Sequence, residues 1–474
     1  VAGDEPTLVA DENDRVEFVQ IGPFIDDCVE GRRDPDRFRV VCFDQQTGEV
    51  RFRPLKAVIR HAHEEPMYRL TTRYGRSIKV TSSHSVFVLE DGEMRLKKGN
   101  EVRPGDRLVA SRRLPRPAAS LTSVDVLETL RKAGLTTNLY VRGEDVRRIA
   151  GDRVLARAKR PELYGESRVV LGLDEWSRLI SHRQAAGLTQ SAVASAIGVK
   201  QPITISHWER GINRPIRSHF DRYVDAIGWT DELEIQLLPS KVGERLAQDD
   251  LSRNARWREI SCYKRIDEFS DGEIATLGPD VDIVPRAHLH KAFARYLPID
   301  RDLCWLLGWF AAEGTMSAHQ VSLNLGRKDE PFIPELCAAI QRVFGESPRR
   351  YDDPDSQGIK LYFHSVLAAR LLEAWGLGGK AHEKRLPDIQ FNVEESLQWA
   401  FLEGYFLGDG TTNGQNISTT TNSPRLKDGL LYLLGQLGLI ASVSHHLPST
   451  LPDASIQTRH SYFSLTICGK DQLE

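Results

Sequence analysis

Two short stretches in the last third of the chain each end an apolar run with a carboxylate and a glycine: LLGWFAAEG at 306–314 and LEGYFLGDG at 402–410. They align without gaps. Gly308 falls on Gly404, Trp309 on Tyr405, Phe310 on Phe406, Glu313 on Asp409 and Gly314 on Gly410. Each reads as a helix with small residues at i, i+4 on one face: Gly308 and Ala312, Gly404 and Gly408. Two such faces can pack backbone against backbone about a pseudo-twofold axis, which sets Glu313 and Asp409 side by side. Carboxylates that close repel each other unless cations share them. Oxygen ligands suit Mg²⁺, which keeps waters and binds phosphate oxygens. Such a site activates water for attack on a phosphodiester. For one copy alone, an acidic helix end beside a C-cap glycine is the simpler reading. Two aligned copies in a tandem repeat favour the chemistry.

The elements around the motifs repeat as well. VSLNLGRKDEPFIPELCAAIQRVFG follows the first copy and ISTTTNSPRLKDGLLYLLGQLGLIA the second. Each reads as a strand, a polar turn and an amphipathic helix. The duplicated motif resembles the paired LAGLIDADG signatures of homing endonucleases, in the dodecapeptide form typical of inteins. The resemblance covers roughly residues 298–474. It implies an α+β tandem repeat, αββαββα twice, with two antiparallel sheets forming a saddle over the DNA major groove. It implies Mg²⁺-dependent cleavage of both strands at a long site, with Glu313 and Asp409 as the metal-binding acids. EKRLPDIQF, before the second motif, resembles the block that maps Lys384 onto the catalytic lysine, which polarises the attacking water or offsets transition-state charge. A solvated surface lysine is the alternative there. Arg327 and Lys328, in the first polar turn, are expected DNA contacts.

Residues 1–118 read as β-rich: RVVCF, EVRFRPL, PMYRLTT, SIKVTSSHSVFVL and RLVAS are separated by turn signals such as QQTGE, RYGR, EDGE and RPGD. Thr81-x-x-His84 ends one such run. Alone it is a weak signal, because a lone histidine is usually structural. With GDEPTLV at the start and VRPGDRLV after it, the arrangement is similar to the N-terminal splicing blocks of inteins and the wider all-β, horseshoe-like Hint fold, over residues 1–112. That resemblance implies that His84 polarises the first scissile peptide bond and protonates its nitrogen, while Thr81 helps hold the amide and oxyanion. The acyl shift needs a Cys or Ser nucleophile. The family begins with Cys, Ser or sometimes Ala before a segment like VAGDEPTLV and ends with His-Asn, and neither lies within these residues. The sequence is expected to be a fragment, an engineered chain or the N-terminal part of a split element, which needs a flanking extein host and a C-terminal splicing segment in cis or trans to splice.

RRLPRPAAS reads as a Pro/Arg-rich linker. Beyond it, residues 119–240 are expected to form an inserted, mainly helical domain. Within about 178–230, GLTQSAVASAIGVKQPITISHWERGINRP resembles the Cro/repressor-type helix-turn-helix. Thr189 is an N-cap for a first helix over Gln190–Ile197, and Gly198 supplies the tight turn. The second helix, starting near Gln201, would enter the major groove and present Gln201, Thr204, Ser206 and His207. Arg210, Arg214 and Arg217 would meet phosphates. The stretch from Gly198 to Trp208 is one residue longer than the usual pattern, at PITIS, which would bulge the recognition helix. A small helical bundle that binds no DNA is the alternative. Residues 241–297 carry weak, mixed signals and read as a linker.

The bulk numbers are consistent with this division. A chain of 474 residues is too long for one core. Charged residues make up 27% and hydrophobic ones 40%, an ordinary soluble balance. No stretch is apolar enough to span a bilayer, so a cytoplasmic protein, most simply a monomer, is expected. The net charge of -3 rules out arguing for nucleic-acid binding from overall charge. The six cysteines are scattered without a CxxC pair, which argues against zinc or disulfides and for buried thiols. Taken together, an intein-borne homing endonuclease with an accessory DNA-reading module is expected, and the resemblance to inteins implies an archaeal replication protein as host and the uninterrupted host gene as target. The alternatives are a splicing element with a decayed nuclease and a helix-turn-helix regulator.

Overall fold

The computed structural model describes residues 1–146, 148–149, 166–238, 263–285, 291–354, 358–448, 460–469 and 472. The chain divides into two compact units, Val1–Thr137 with Ala287–Glu474 and Asn138–Arg286. These do not coincide with the four segments expected from the sequence.

The chain begins with β1 (Pro6–Ala10), β2 (Val16–Gln20), α1 (Ile21–Val29), β3 (Arg39–Phe43) and β4 (Val50–Pro54), forming one sheet in the order β2-β1-β3-β4. The hairpin of β5 (Tyr68–Thr71) and β6 (Ser77–Val80) follows, and then β7 (Ser85–Glu90), β8 (Glu93–Lys98) and β9 (Arg107–Leu108), ordered β8-β7-β9. These short strands bury Leu8, Val9, Val16, Val80 and Val88, and β1 is buried on both faces at Leu8, Val9 and Ala10. The β-rich reading of this region agrees with these sheets.

The Pro/Arg-rich stretch is not a free linker. Leu114 N–H donates to the Gly435 carbonyl at 2.9 Å, and Arg113 and Arg116 both reach Glu395 at 2.9 Å. Prolines leave this strap few donors of its own, so its arginines make the attachments. The expected helical domain also starts later than residue 119. β10 (Ser123–Asp125) pairs antiparallel with a strand ahead of the first motif, Ser123 opposite Pro298, and α2 (Val126–Lys132) buries Val126, Leu127 and Leu130 completely. These residues belong to the first unit.

The second unit opens with β11 (Leu139–Arg142) and β12 (Arg168–Val170). Then come the helices α3 (Leu173–Ala185), α4 (Gln190–Ala196), α5 (Ile203–Glu209) and α6 (Arg217–Ile227), followed by β13 (Gln236–Leu238), which pairs with β12. Its core gathers Trp176, Leu179, Val193, Ile205, Trp208, Phe220, Tyr223 and Ile227. The expected linker is structured where it is described: β14 (Tyr263–Arg265), α7 (Asp271–Ala275) and β15 (Asp282–Pro285) are ordered elements, and β14 and β15 flank β11. The parts of that expectation on residues 241–262 and 286–290 lie outside the described residues.

Back in the first unit, β16 (Phe293–Ala294) and β17 (Tyr296–Pro298) lead into the repeat. Its first copy is α8 (Arg301–Glu313), β18 (Gly314–Met316), β19 (Gln320–Leu325), α9 (Ile333–Phe344), β20 (Arg349–Asp352), β21 (Ile359–His364) and α10 (Val366–Ala374). The second is α11 (Glu395–Asp409), β22 (Gly410–Thr412), β23 (Asn416–Thr421), α12 (Pro424–Gln436), β24 (Ala441–His446) and β25 (Tyr462–Cys468). The sheets have matching orders, β18-β19-β21-β20 and β22-β23-β25-β24. The overall class is a multidomain mixture of helices and several small sheets.

Among the described cysteines only Cys28 and Cys304 are buried. Cys42 and Cys337 are half-buried and Cys468 is exposed, so the uniform burial expected for the thiols fails. Cys468 closes a strand at its open end, where no element covers it; Cys262 lies outside the described residues. Among the described residues no helix is long and apolar enough to cross a membrane.

Candidate active site at the helix crossing

α8 and α11 cross at their glycines. A Cβ on Gly308 would sit 2.1 Å from the Phe401 carbonyl oxygen, and one on Gly404 would sit 2.1 Å from that of Trp305. The two clashes are related by the repeat offset, as a pseudo-twofold demands. Close approach continues to the helix ends, where a Cβ on Gly408 would meet Ala312 Cβ at 2.7 Å and Glu313 Cγ at 3.2 Å. Asp300 caps the start of α8, its carboxylate accepting from Leu303 N–H at 2.9 Å.

This crossing brings Glu313 and Asp409 together in a poorly solvated spot. Burial, the Asp409 charge and the Asp329 charge push the Glu313 carboxyl up to about 7. Burial dominates for Asp409, pushed up to about 6 despite Lys384 and Lys328. Both groups are costly to ionise as they stand.

Lys384 is not a surface lysine. It is 4% exposed, and its ammonium donates to the carbonyls of Phe310 (2.9 Å), Ala311 (3.0 Å) and Ala312 (3.4 Å). These are carbonyls of the last turn of α8, the negative end of its dipole, where the Phe310 oxygen also accepts from Gly314 N–H. Burial brings the Lys384 ammonium down to about 8, against the pull of Asp409 and Glu313. Ser423 holds its backbone from behind, donating to the Lys384 carbonyl at 2.5 Å.

Lys328 also belongs to this crossing. It donates to the Gly408 carbonyl at 2.9 Å, at the end of α11, so each motif helix has one lysine at its C-terminal carbonyls. Sequence reasoning assigned Lys328 to DNA and missed Asp329 altogether. Asp329 is buried and accepts from Gly326 N–H at 2.8 Å. The signal available was the polar turn KDE directly after a strand. Arg327 stands apart, exposed and paired with Asp352 at 3.1 Å.

Thr81 and His84 lie at the end of the β5–β6 hairpin. His84 N–H donates to the Thr81 carbonyl at 3.2 Å, and Gly99 N–H donates to the His84 carbonyl at 2.8 Å. Gly99 supports this turn, for a Cβ there would lie 2.7 Å from the Thr81 oxygen. Ala2 N–H donates to the Lys79 carbonyl at 3.0 Å, which lays the start of the chain beside the turn. Burial, then the Val1 ammonium, holds the His84 pKa below its usual value.

In the second unit Thr189 caps α4, accepting from Ala192 N–H at 3.1 Å, and Gly198 takes a φ of 75°. α5 starts at Ile203 rather than near Gln201, because Pro202 lacks an N–H and disfavours helical backbone before it. Gln201 is therefore exposed ahead of the helix, while Thr204, Ser206 and His207 are half-buried on it. Arg210 and Arg214 are exposed, and Arg217 pairs with Asp221 at 2.8 Å. Glu209 anchors the module from inside, accepting from Arg183 (2.7 and 2.9 Å), Tyr223 (2.8 Å) and Gln190 (2.7 Å).

Among the described residues no three His, Cys, Asp or Glu side chains form a metal cluster. The donor set of Glu313 and Asp409 nevertheless fits a hard divalent cation. Two half-buried, mutually repelling carboxylates are relieved by positive charge between them, and oxygen is the ligand such ions prefer.

Residues 396–474 match the family model described as a LAGLIDADG-like domain, which places a domain of this class on the second copy. A DNA polymerase of Thermococcus hydrothermalis is 24% identical over 473 residues, covering 92% of this chain and 25% of that protein. The DNA polymerase II large subunit of Haloquadratum walsbyi is 22% identical, covering 94% of this chain and 17% of that protein. The chain thus spans about a quarter or less of the length of these relatives. Among solved structures, the homing endonuclease I-DmoI with DNA and Ca is 14% identical, covering 36% of this chain and 85% of that one at a TM-score of 0.26. The transcription factor IIB Mvu mini-intein is 25% identical, covering 25% and 71% at a TM-score of 0.21.

Proposed function

We propose that this chain is the nuclease-bearing part of an intein-like element, and that it cleaves both strands of double-stranded DNA at a specific site with Mg²⁺. The observation that carries the reading is the glycine crossing of α8 and α11, which joins Glu313 and Asp409 beside a buried lysine. Glu313 and Asp409 would hold the metal. When bound, it supplies neutralisation of these acids and Lewis-acid polarisation of the phosphate. The water oxygen bonds to phosphorus as the bond to the leaving sugar oxygen breaks, and the proton the water loses to solvent is matched by one the leaving oxygen takes up, giving a phosphate monoester and a free hydroxyl. Lys384, whose ammonium already donates to three carbonyls of α8, is suited to offset the charge that builds on phosphorus. Low solvent access strengthens each of these charge interactions.

In the same reading, the helical module of the second unit recognises DNA through α5, with Gln201, Thr204, Ser206 and His207 toward bases and Arg210 and Arg214 toward phosphates. His84 and Thr81 would act at the peptide bond that begins the element, given an upstream nucleophile and a C-terminal segment. An imidazole with a depressed pKa is neutral near pH 7 and can donate or accept a proton there. The names of the relatives favour a DNA polymerase as host, with its uninterrupted gene as target.

Cleavage of a randomised double-stranded DNA library with Mg²⁺, set against a Glu313→Gln, Asp409→Asn double variant, tests the nuclease. Discrete products from the unaltered protein alone are expected. Specific binding without cleavage by both proteins would instead identify a regulator or a decayed nuclease.

A further inference from the structure

The two sheets of the repeat match row by row in register but not in chemistry. Gly314 opens β18 and Gly410 opens β22, each directly after an acid, and they pair with Leu323 and Thr419. One face of each sheet is buried, by Leu323, Leu361 and Phe363 in the first and Thr419, Leu465 and Ile467 in the second. Alternation sends the residues between these to the opposite face. That face carries Thr315 and Thr411, each two residues beyond an acid, so it borders the glycine crossing.

In the first sheet, one row across this face reads Thr315, Ser322, Tyr362, Arg349, and the next reads Asn324, Lys360, Tyr351. The matching rows of the second sheet read Thr411, Ser418, Thr466, Ser442 and Thr420, Ser464, Ser444. Hydroxyls thus stand where the first sheet has an arginine, a lysine, an asparagine and two tyrosines. The strands β22–β25 contain no Lys, Arg, Asp or Glu. Two of their hydroxyls, on Thr411 and Ser418, already bond each other at 3.0 Å. At one end of this face His446 stacks on Tyr462, with 4.6 Å between ring centroids. In the first sheet Arg350 is tied to Glu330 and Asp352, at 2.6 and 2.7 Å. Among the described residues no such ion pair engages Arg349 or Lys360.

Side-chain chemistry decides how each face can read base edges. Arginine and lysine donate to the two acceptors of guanine, and asparagine matches the donor and acceptor of adenine. A serine or threonine hydroxyl donates or accepts as its neighbour requires, so it satisfies any base. We infer, on the strength of the nuclease reading, that the two halves of the DNA target are read unequally. The half under β18–β21 is read base by base, chiefly through Asn324, Arg349 and Lys360. The half under β22–β25 is read tolerantly, through hydroxyls. The identity of the target therefore lies mainly in one half.

The test takes the full chain and a target duplex selected from a randomised library, and replaces each base pair in turn. Cleavage is read with Mg²⁺, and binding is read with the Glu313→Gln, Asp409→Asn double variant. Changes in one half are expected to weaken binding and cleavage about tenfold or more at several positions, and changes in the other half by less than about threefold. Lys360→Ala is expected to relax the preference at one position of the stringent half. Ser464→Lys places a lysine at the register of Lys360 on the second sheet, and is expected to create a preference for guanine of roughly tenfold in the tolerant half. Equal stringency in both halves overturns the inference, as does relaxation by Lys360→Ala within the tolerant half. So does a profile that neither substitution alters, or a chain that selects no duplex. Unequal discrimination in binding without any cleavage would sink the nuclease reading and leave the unequal halves standing.

Discussion

Glu313 and Asp409 titrate higher in the folded chain than in an unfolded one, so the folded state holds extra protons between about pH 4 and 7. Their contribution to stability is greatest below about pH 4 and is lost as pH rises through 6 and 7. Lys384 acts in another window. Its folded pKa near 8 lies below the ordinary value of 10.5, so its penalty is complete below pH 8 and relaxes as pH climbs toward 10.5. Glu313→Gln removes one charge of the repelling pair and keeps its volume. The variant is expected to be more stable than the parent at pH 8, on the order of 1 kcal/mol after discounting for partial solvation, and no more stable at pH 4. Thermal melts at the two pH values, without divalent cation, check this. Equal gains at both would mean that the cost of ionising a carboxyl at this poorly solvated spot is not what the substitution relieves. With Mg²⁺ present the advantage should reverse, since a cation between two carboxylates stabilises the parent and finds only one in the variant.

At the scale of elements, everything depends on how closely α8 and α11 approach. Gly308→Val would drive side-chain atoms into the Phe401 carbonyl of the partner helix, with no flexible group to yield. The helices must part, and a loss of about 3 kcal/mol or more is expected. Chemical denaturation reads the loss, and raised exchange should be confined to the repeat. A loss below about 1 kcal/mol would mean that the crossing adapts more easily than its backbone contacts allow. This crossing was legible in the sequence because each copy prints the same glycine and acid, and the offset fixes the pairing. Lys384 was found only through a block resemblance, and its burial was not legible, because the carbonyls that hold it come from residues about seventy positions earlier. The place of Lys328 was not legible for the same reason, since the Gly408 carbonyl it holds lies eighty positions later. The β14 and β15 strands were missed because each is three or four residues long and pairs with β11, over a hundred residues away. Such pairings leave no local periodicity.

At the scale of the first unit, the β-rich beginning and the second copy of the repeat support one another. Asn392 reaches across to β2: its side-chain carbonyl accepts from Val16 N–H at 2.7 Å and its amide donates to the Val16 carbonyl at 2.8 Å. Both residues are buried. Phe18 lies between Phe391 and Tyr432, at 5.8 and 5.1 Å, and Tyr432 donates to the Pro6 carbonyl at 2.8 Å. Asn392→Ala would leave the Val16 donor and acceptor buried and unpaired, each costing roughly 1–3 kcal/mol, whereas a solvated asparagine could be replaced at little cost. Because the contact joins the β2-β1-β3-β4 sheet to the turn ahead of α11, the loss should spread. Amides of β1 and β2 and those of α12 are all expected to exchange faster in the variant, under one cooperative melt. If only β2 responded, the N-terminal sheet would be an independent body resting on the repeat. If all respond, a truncation that removes residues 1–118 to isolate the repeat would strip support from α12 and the turn carrying Lys384, and cleavage assays on such a piece would underestimate the whole chain.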